Sequence, residues 1–123
     1  SPCGESPTEA ISKNCVFEVM SFSWLPRVCH DSELEEEFLM GDWHWWSYKS
    51  TGASTGGSYE LHEVPLTDVA TGLHDGLHVT WGYHITHCVF MWRKLQRMAV
   101  GGGVIDGYIG NTNHTQHCQE LLV

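Results

Sequence analysis

The sequence predicts a small α+β domain, mainly helical, with a β-hairpin and disulfide staples. Three observations carry this prediction. The longest periodic stretch, 81–100, places His84, His87, Cys88, Met91, Leu95 and Met98 at helical steps of 3, 4 or 7. An aromatic run, 42–48, is followed across a Gly/Ser/Thr-rich link by a second extended run, 59–64. Five cysteines in 123 residues, with no C-x-x-C pair, read as a disulfide framework and hence an oxidising compartment.

The length is that of a single domain, 1–123. Hydrophobic residues make up 41% and charged residues 17%, a folded rather than a disordered composition. The net charge of −9 argues against nucleic acid and against anionic membrane surfaces, both of which want a basic patch. No apolar run is long enough to span a bilayer. Cys3 lies almost at the start of the chain, which suggests an excised or processed lumenal domain.

In chain order, Ser6-Pro7-Thr8-Glu9 is a capping box with proline at the first helical position, and predicts a helix over 7–14. Cys3 and Cys15 flank it and are placed to staple its ends. Residues 16–26 are apolar and aromatic, and read as one extended, buried segment stopped by Pro26. A second helix is expected over 31–40, with a capping box at Ser32–Glu35 and Leu34, Phe38 and Leu39 facing inward. Its acids crowd the N-terminus, where the helix dipole favours them, on a solvated face. The hairpin of 42–48 and 59–64 follows, then a helical turn at 65–70 and a short strand at 77–80. The long helix over 81–100 carries Arg93, Lys94 and Arg97 toward its C-terminal half and ends at Gly101–Gly103. Asn111, Thr112 or Asn113 caps the last helix.

The strongest chemical signal is a repeated word. His84-Ile85-Thr86-His87-Cys88 and His114-Thr115-Gln116-His117-Cys118 both read H-x-x-H-C. On a helix, positions i, i+3 and i+4 share a face, so each copy presents two imidazoles and a sulfur together. Two such helices face to face gather four imidazoles: a metal centre of His84, His87, His114 and His117. Imidazole suits copper and zinc alike, and four imidazoles also suit a closed structural zinc site. Cys88 and Cys118 either ligate as thiolates or join in a disulfide, and the oxidising context favours the disulfide. If Cys3 also bonds Cys15, Cys29 is left free or pairs with another chain.

The doubled motif, its continuation VFMWRKLQR, and the N-terminal pattern CGESPTEA, CVFEVMSFSWLP and Cys29-His30-Asp31-Ser32-Glu33-Leu34 resemble the fungal UstYa-like family over nearly the whole chain. That resemblance implies a lumen-facing domain on a single membrane anchor, the anchor being absent from this chain, or a secreted form. It implies an oxidoreductase of secondary-metabolite biosynthesis, such as that of mycotoxins and cyclic peptides. Copper, one or two ions, would be the cofactor and dioxygen or a peroxide the oxidant. The substrate would be a peptide or small molecule that is oxidised, cyclised, hydroxylated or halogenated. The implied ligands are His84, His87, His114 and His117, with Cys88 and Cys118 as the motif cysteines.

Other residues stand in reserve. His44, His62, His74 and His78 are candidates to complete a second metal site. Trp43, Trp45 and Trp46 around His44 read as core or as an aromatic substrate platform. Tyr83, Tyr108 and Asp106 are candidate proton or radical partners by their nearness to the motifs. Asn113-His114-Thr115 is an N-glycosylation sequon. Gly52–Gly56 matches G-x-S-x-G, but in a loop and in a chain too short for an α/β-hydrolase. Against the copper enzyme, which acts alone or as a homodimer or heterodimer with a family member, stand two alternatives. One is a non-catalytic zinc or copper partner module; the other is a disulfide-built domain whose histidines bind nothing.

Overall fold

A computed structural model of the chain describes residues 2–50, without the Ser50 side chain, and residues 59–123. The loop carrying Gly52–Gly56 lies outside the described residues. The architecture is α+β, as the capping signals and the hairpin pattern predict. Helices α1 (Pro7–Ser12), α2 (Ser32–Leu39), α3 (Leu66–Val69), α4 (Trp81–Gly101) and α5 (Thr112–Leu122) surround two antiparallel hairpins. These are β1 (Val16–Glu18) with β2 (Ser23–Leu25), and β3 (Trp45–Ser50) with β4 (Tyr59–Val64).

Four of these five helices start where a side chain satisfies a first free amide, whereas α3 follows Pro65 with no side-chain cap. Ser6 accepts from the Glu9 amide, Thr80 from Tyr83 and Asn111 from Asn113. The cap of α2 is Asp31, one residue earlier than the expected Ser32–Glu35 box, because Asp31 Oδ1 accepts from the Leu34 amide. Glu35 turns away instead: its carboxylate accepts from the Val19 amide (2.6 Å) and meets His30 Nε2 (2.9 Å). The acid-rich start of α2 is therefore not simply a solvated face. Helix α4 ends at Gly102, whose φ of 74° is the left-handed conformation that glycine adopts without a Cβ penalty.

Residues 16–26 fold back on themselves, where the sequence suggested one extended segment. The turn 19–22 places Phe22 at a φ of 51°. A bulky side chain in that region costs about 1–3 kcal/mol, held here by surrounding packing. Its ring meets Phe17 edge-on at 5.2 Å, and Phe17 in turn meets Trp24. The short strand expected at 77–80 is reduced to a single bridge, with Trp46 and His78 exchanging backbone hydrogen bonds.

The core joins Met20, Leu34, Phe38, Trp45, Val64, Val69, Tyr83, Met91 and Ile109. Phe38 is its hub, stacked on Trp43 and meeting Tyr83 and Phe90 edge-on. Among the tryptophans of 43–46, Trp45 is buried and Trp43 half-buried, so the cluster is largely core, with Trp46 half-exposed beside His44.

Lys94, toward the C-terminal half of α4 as the dipole prefers, is also fully buried. Its Nζ donates to Glu18 Oε1 (2.9 Å) and Asp106 Oδ2 (2.8 Å). Glu18 also accepts from Ser21 Oγ and from the Asp31 amide, and Asp106 Oδ1 accepts from the amides of Tyr108 and Ile109. One cation on α4 thus ties the β1–β2 hairpin to the turn that precedes α5.

Cys3 is bonded to Cys15 across α1, and Cys88 to Cys118 across α4 and α5, with Cα atoms 6.1 and 5.3 Å apart. Cys29 is free and buried, so it offers no surface sulfur to a second chain. Burial, and then the Asp106 carboxylate, push its thiol pKa up, which keeps it protonated and inert.

Lys94→Met leaves two buried carboxylates uncompensated and should cost roughly 3–5 kcal/mol in urea denaturation. Arg93→Met removes the exposed pair with Glu37 and the guanidinium over the Phe90 ring, and should cost no more than about 1–2 kcal/mol. Replacing Cys88 and Cys118 together with serine opens a thirty-residue separation and should cost about 3–4 kcal/mol in the same assay.

Candidate metal centre

Helices α4 and α5 pack with their H-x-x-H-C faces toward each other. The helical period puts Cys88 and Cys118 on the buried seam, and their disulfide fixes the register. The histidines consequently meet in two pairs. His87 faces His114 with ring centroids 5.7 Å apart, and His84 faces His117 at 6.1 Å. For nitrogens about 2.0 Å from a shared ion, ring centroids fall about 4.5–6.5 Å apart, so both pairs stand at a spacing one ion can bridge. Among the described residues no three His, Cys, Asp or Glu side chains converge on one point. Binding by all four would take side-chain rotation, which exposed His84 and His117 have room for. The donor set therefore fits an imidazole-preferring ion in kind and in pairwise spacing.

The two pairs differ in environment. His84 and His117 are exposed, whereas His87 is buried and His114 half-buried. His87 Nδ1 donates to the Met20 carbonyl at 2.7 Å, so its Nε2 carries the lone pair. That lone pair points toward Tyr108, whose hydroxyl donates to it at 2.9 Å. Burial, and beyond it the other three imidazoles, lower the His87 pKa to about 4. Burial and then His117 also lower that of His114, whose Nε2 lies 3.7 Å from the Cys118 sulfur. Both inner imidazoles are therefore neutral at pH 7, the state that binds metal.

A cavity of about 190 Å³ opens beside His84 and His87. Phe22, Trp45, Leu77, Val79, Tyr83 and Tyr108 give it aromatic and aliphatic walls, and Ser21 adds a hydroxyl. The Tyr83 hydroxyl accepts from Trp45 Nε1 at 3.2 Å, and burial pushes its pKa up to about 12. Tyr83 and Tyr108 thus reach the cavity as protonated phenols. Asp106 does not line it: its carboxylate is spent on Lys94 and on the backbone of Tyr108 and Ile109.

None of the four reserve histidines lines this cavity. His44 is held between Glu63 and Asp42, and the Glu63 hydrogen bond raises its pKa. His62 pairs with Glu60, and His78 packs edge-on to Tyr48 at 4.4 Å. His74 borders a separate cavity beside Trp24 and Gly72. Asn113 is exposed on the first turn of α5.

Two supports of the site lie outside the motifs. The Met20 carbonyl fixes the His87 tautomer, and Lys94, two turns beyond His87, holds both the turn bearing Met20 and the turn bearing Tyr108. Glu18 was the available signal: a lone acid inside CVFEVMSFSW has to find a buried cation. A backbone carbonyl partner leaves no mark in sequence.

His87 sets a pH dependence in the metal-free protein. Its folded pKa lies below the unfolded value, so its contribution to stability is complete above about pH 6.5 and is lost as pH falls toward 4. Urea denaturation should show stability falling by up to a few kcal/mol over that window. His87→Leu should flatten the slope between pH 6.5 and 4.

Among known proteins, the chain is 30% identical over 125 residues to phomopsin biosynthesis cluster proteins B and B' of Diaporthe leptostromiformis. The alignments cover 94% of this chain and 34% of each relative, so the chain spans about a third of the length of the curated relatives it matches. No family profile matches the chain. No solved structure matches it either. No helix among the described residues is long and apolar enough to cross a membrane, and the two disulfides are compatible with a secreted or lumenal protein.

Proposed function

We propose that this domain holds copper between the two H-x-x-H-C helices and serves as an oxidative tailoring enzyme of fungal natural-product biosynthesis. The observation that carries the reading is the pairing of His87 with His114 and His84 with His117 beside an aromatic-walled cavity. The two similar proteins are named for the phomopsin biosynthesis cluster, which supports a place in such a cluster.

The four imidazoles would be the ligands. Bound there, copper would supply one-electron redox chemistry and a path for electrons from a substrate C–H bond to dioxygen or a peroxide. The chain's own residues account for the rest. The Met20 carbonyl keeps His87 in the tautomer that presents Nε2 to the site. The Cys88–Cys118 disulfide fixes the helix spacing without offering a thiolate. Phe22, Trp45, Leu77 and Val79 form apolar walls that exclude water from an inserted group, and the volume of about 190 Å³ admits one side chain rather than a whole molecule. The substrate is therefore read as a peptide, or a natural product bearing a protruding aromatic or aliphatic group. His84 stands at the exposed edge, where the remainder of such a substrate would lie.

A closed zinc site in a non-catalytic partner module is the second reading. It draws on the four-imidazole donor set, which matches zinc's tetrahedral shell.

The test combines metal content with turnover. The copper enzyme should take up copper in preference to zinc. His87→Ala or His117→Ala should lower substrate oxidation at least about a hundredfold. Zinc retained after copper is offered, with no oxidation by either form, would leave the structural module in its place.

A further inference from the structure

Tyr108 occupies a position the motif does not predict. Its ring centroid lies 4.1 Å from that of His114 and 6.0 Å from that of His87, beside the inner histidine pair. Its hydroxyl oxygen stands 2.9 Å from His87 Nε2, the one nitrogen of that ring left for a metal. The separation is that of neighbouring ligands of one ion, since bonds of about 2.0–2.1 Å at roughly 90° subtend it, and a small turn of either ring would admit the ion between them. Asp106 fixes the backbone beneath the ring by accepting from the Tyr108 and Ile109 amides, and Lys94 fixes Asp106. The phenol is thus held in place by a buried network rather than resting in a mobile loop.

We propose that Tyr108 is itself a ligand of the metal centre, through its hydroxyl oxygen, completing an imidazole-plus-phenolate donor set at the inner end of the cavity. This rests on the copper reading above. On coordination the hydroxyl gives up its hydrogen bond to His87, its oxygen bonds the ion, and its proton passes to solvent. No oxidant is consumed in that step. Without a cation, the hydroxyl donates to His87 Nε2, and that hydrogen bond is the resting arrangement. An oxygen ligand also sets this site apart from a four-imidazole zinc shell, which would have no vertex left for it.

The test loads the chain with Cu(II) and compares it with Tyr108→Phe, in the absence of substrate. Wild type should show a visible phenolate-to-copper charge-transfer band, with tyrosine ring modes enhanced in resonance Raman. Tyr108→Phe should lose both, shift its electron paramagnetic resonance signal toward a nitrogen-only pattern, and hold copper about tenfold more weakly in chelator competition. Copper bound by wild type without a tyrosine signature would overturn the ligand role and leave the histidine centre standing. Tighter binding by Tyr108→Phe would also overturn it, showing that the hydroxyl only competes for His87. A wild-type chain that takes up no copper would overturn the proposal and the copper reading together. The wild-type spectrum decides even where the variant folds poorly.

Discussion

The double ion pair of Lys94 with Glu18 and Asp106 organises the molecule. Three charges are withdrawn from water, at a desolvation cost of several kcal/mol for each ion, and are tolerable only because every one is compensated. The compensation reaches beyond the charges themselves. Glu18 also gathers Ser21 and the Asp31 amide, and Asp106 gathers two amides of the following turn. Both segments are thereby pinned to α4, and they are the ones that flank His87, with the Met20 carbonyl on Nδ1 and the Tyr108 hydroxyl on Nε2. Arg97 adds a second tie from the same helix, holding the α2 cap Asp31 with Nε 2.7 Å from Oδ2 and keeping that carboxyl below its usual range.

The disulfide and the histidines divide the labour at the other seam. The Cys88–Cys118 bond sets how far apart α4 and α5 stand, and the imidazoles at i−1 and i−4 from each sulfur inherit that spacing. Repetition of one word on two antagonistic faces is the simplest way to make paired donors, since a single helical period generates both halves. The asymmetry comes from outside the motif. Burial neutralises His87 and His114 while His84 and His117 are exposed, so an inner and an outer pair arise from two copies of one motif.

Much of this was legible in the residues. Caps at Ser6 and at the start of α5, the glycine stop after α4, the 59–64 strand and the inward Leu34 and Phe38 follow from propensity, periodicity and local hydrogen bonding. The misjudged elements were those decided by distant partners. Asp31 rather than Ser32 caps α2, in part because Glu35 is drawn off to Val19 and His30. Residues 16–26 turn at 19–22, and Glu18, just before the turn, is held by Lys94, a partner 76 residues away. Pairing of the two motif faces could be read from spacing alone. Which phenol would meet which imidazole could not, because it depends on the turn at Asp106.

The most direct measurement of the central claim, that two H-x-x-H-C helices make a histidine metal centre braced by a disulfide, is X-ray absorption at the metal edge of the copper-loaded chain. A first shell of nitrogen and oxygen only, at about 2.0 Å, is expected, with the outer-shell scattering of several imidazoles. A sulfur scatterer at about 2.3 Å would contradict it, placing Cys88 or Cys118 on the metal as a thiolate instead of in the bond that sets the helices apart.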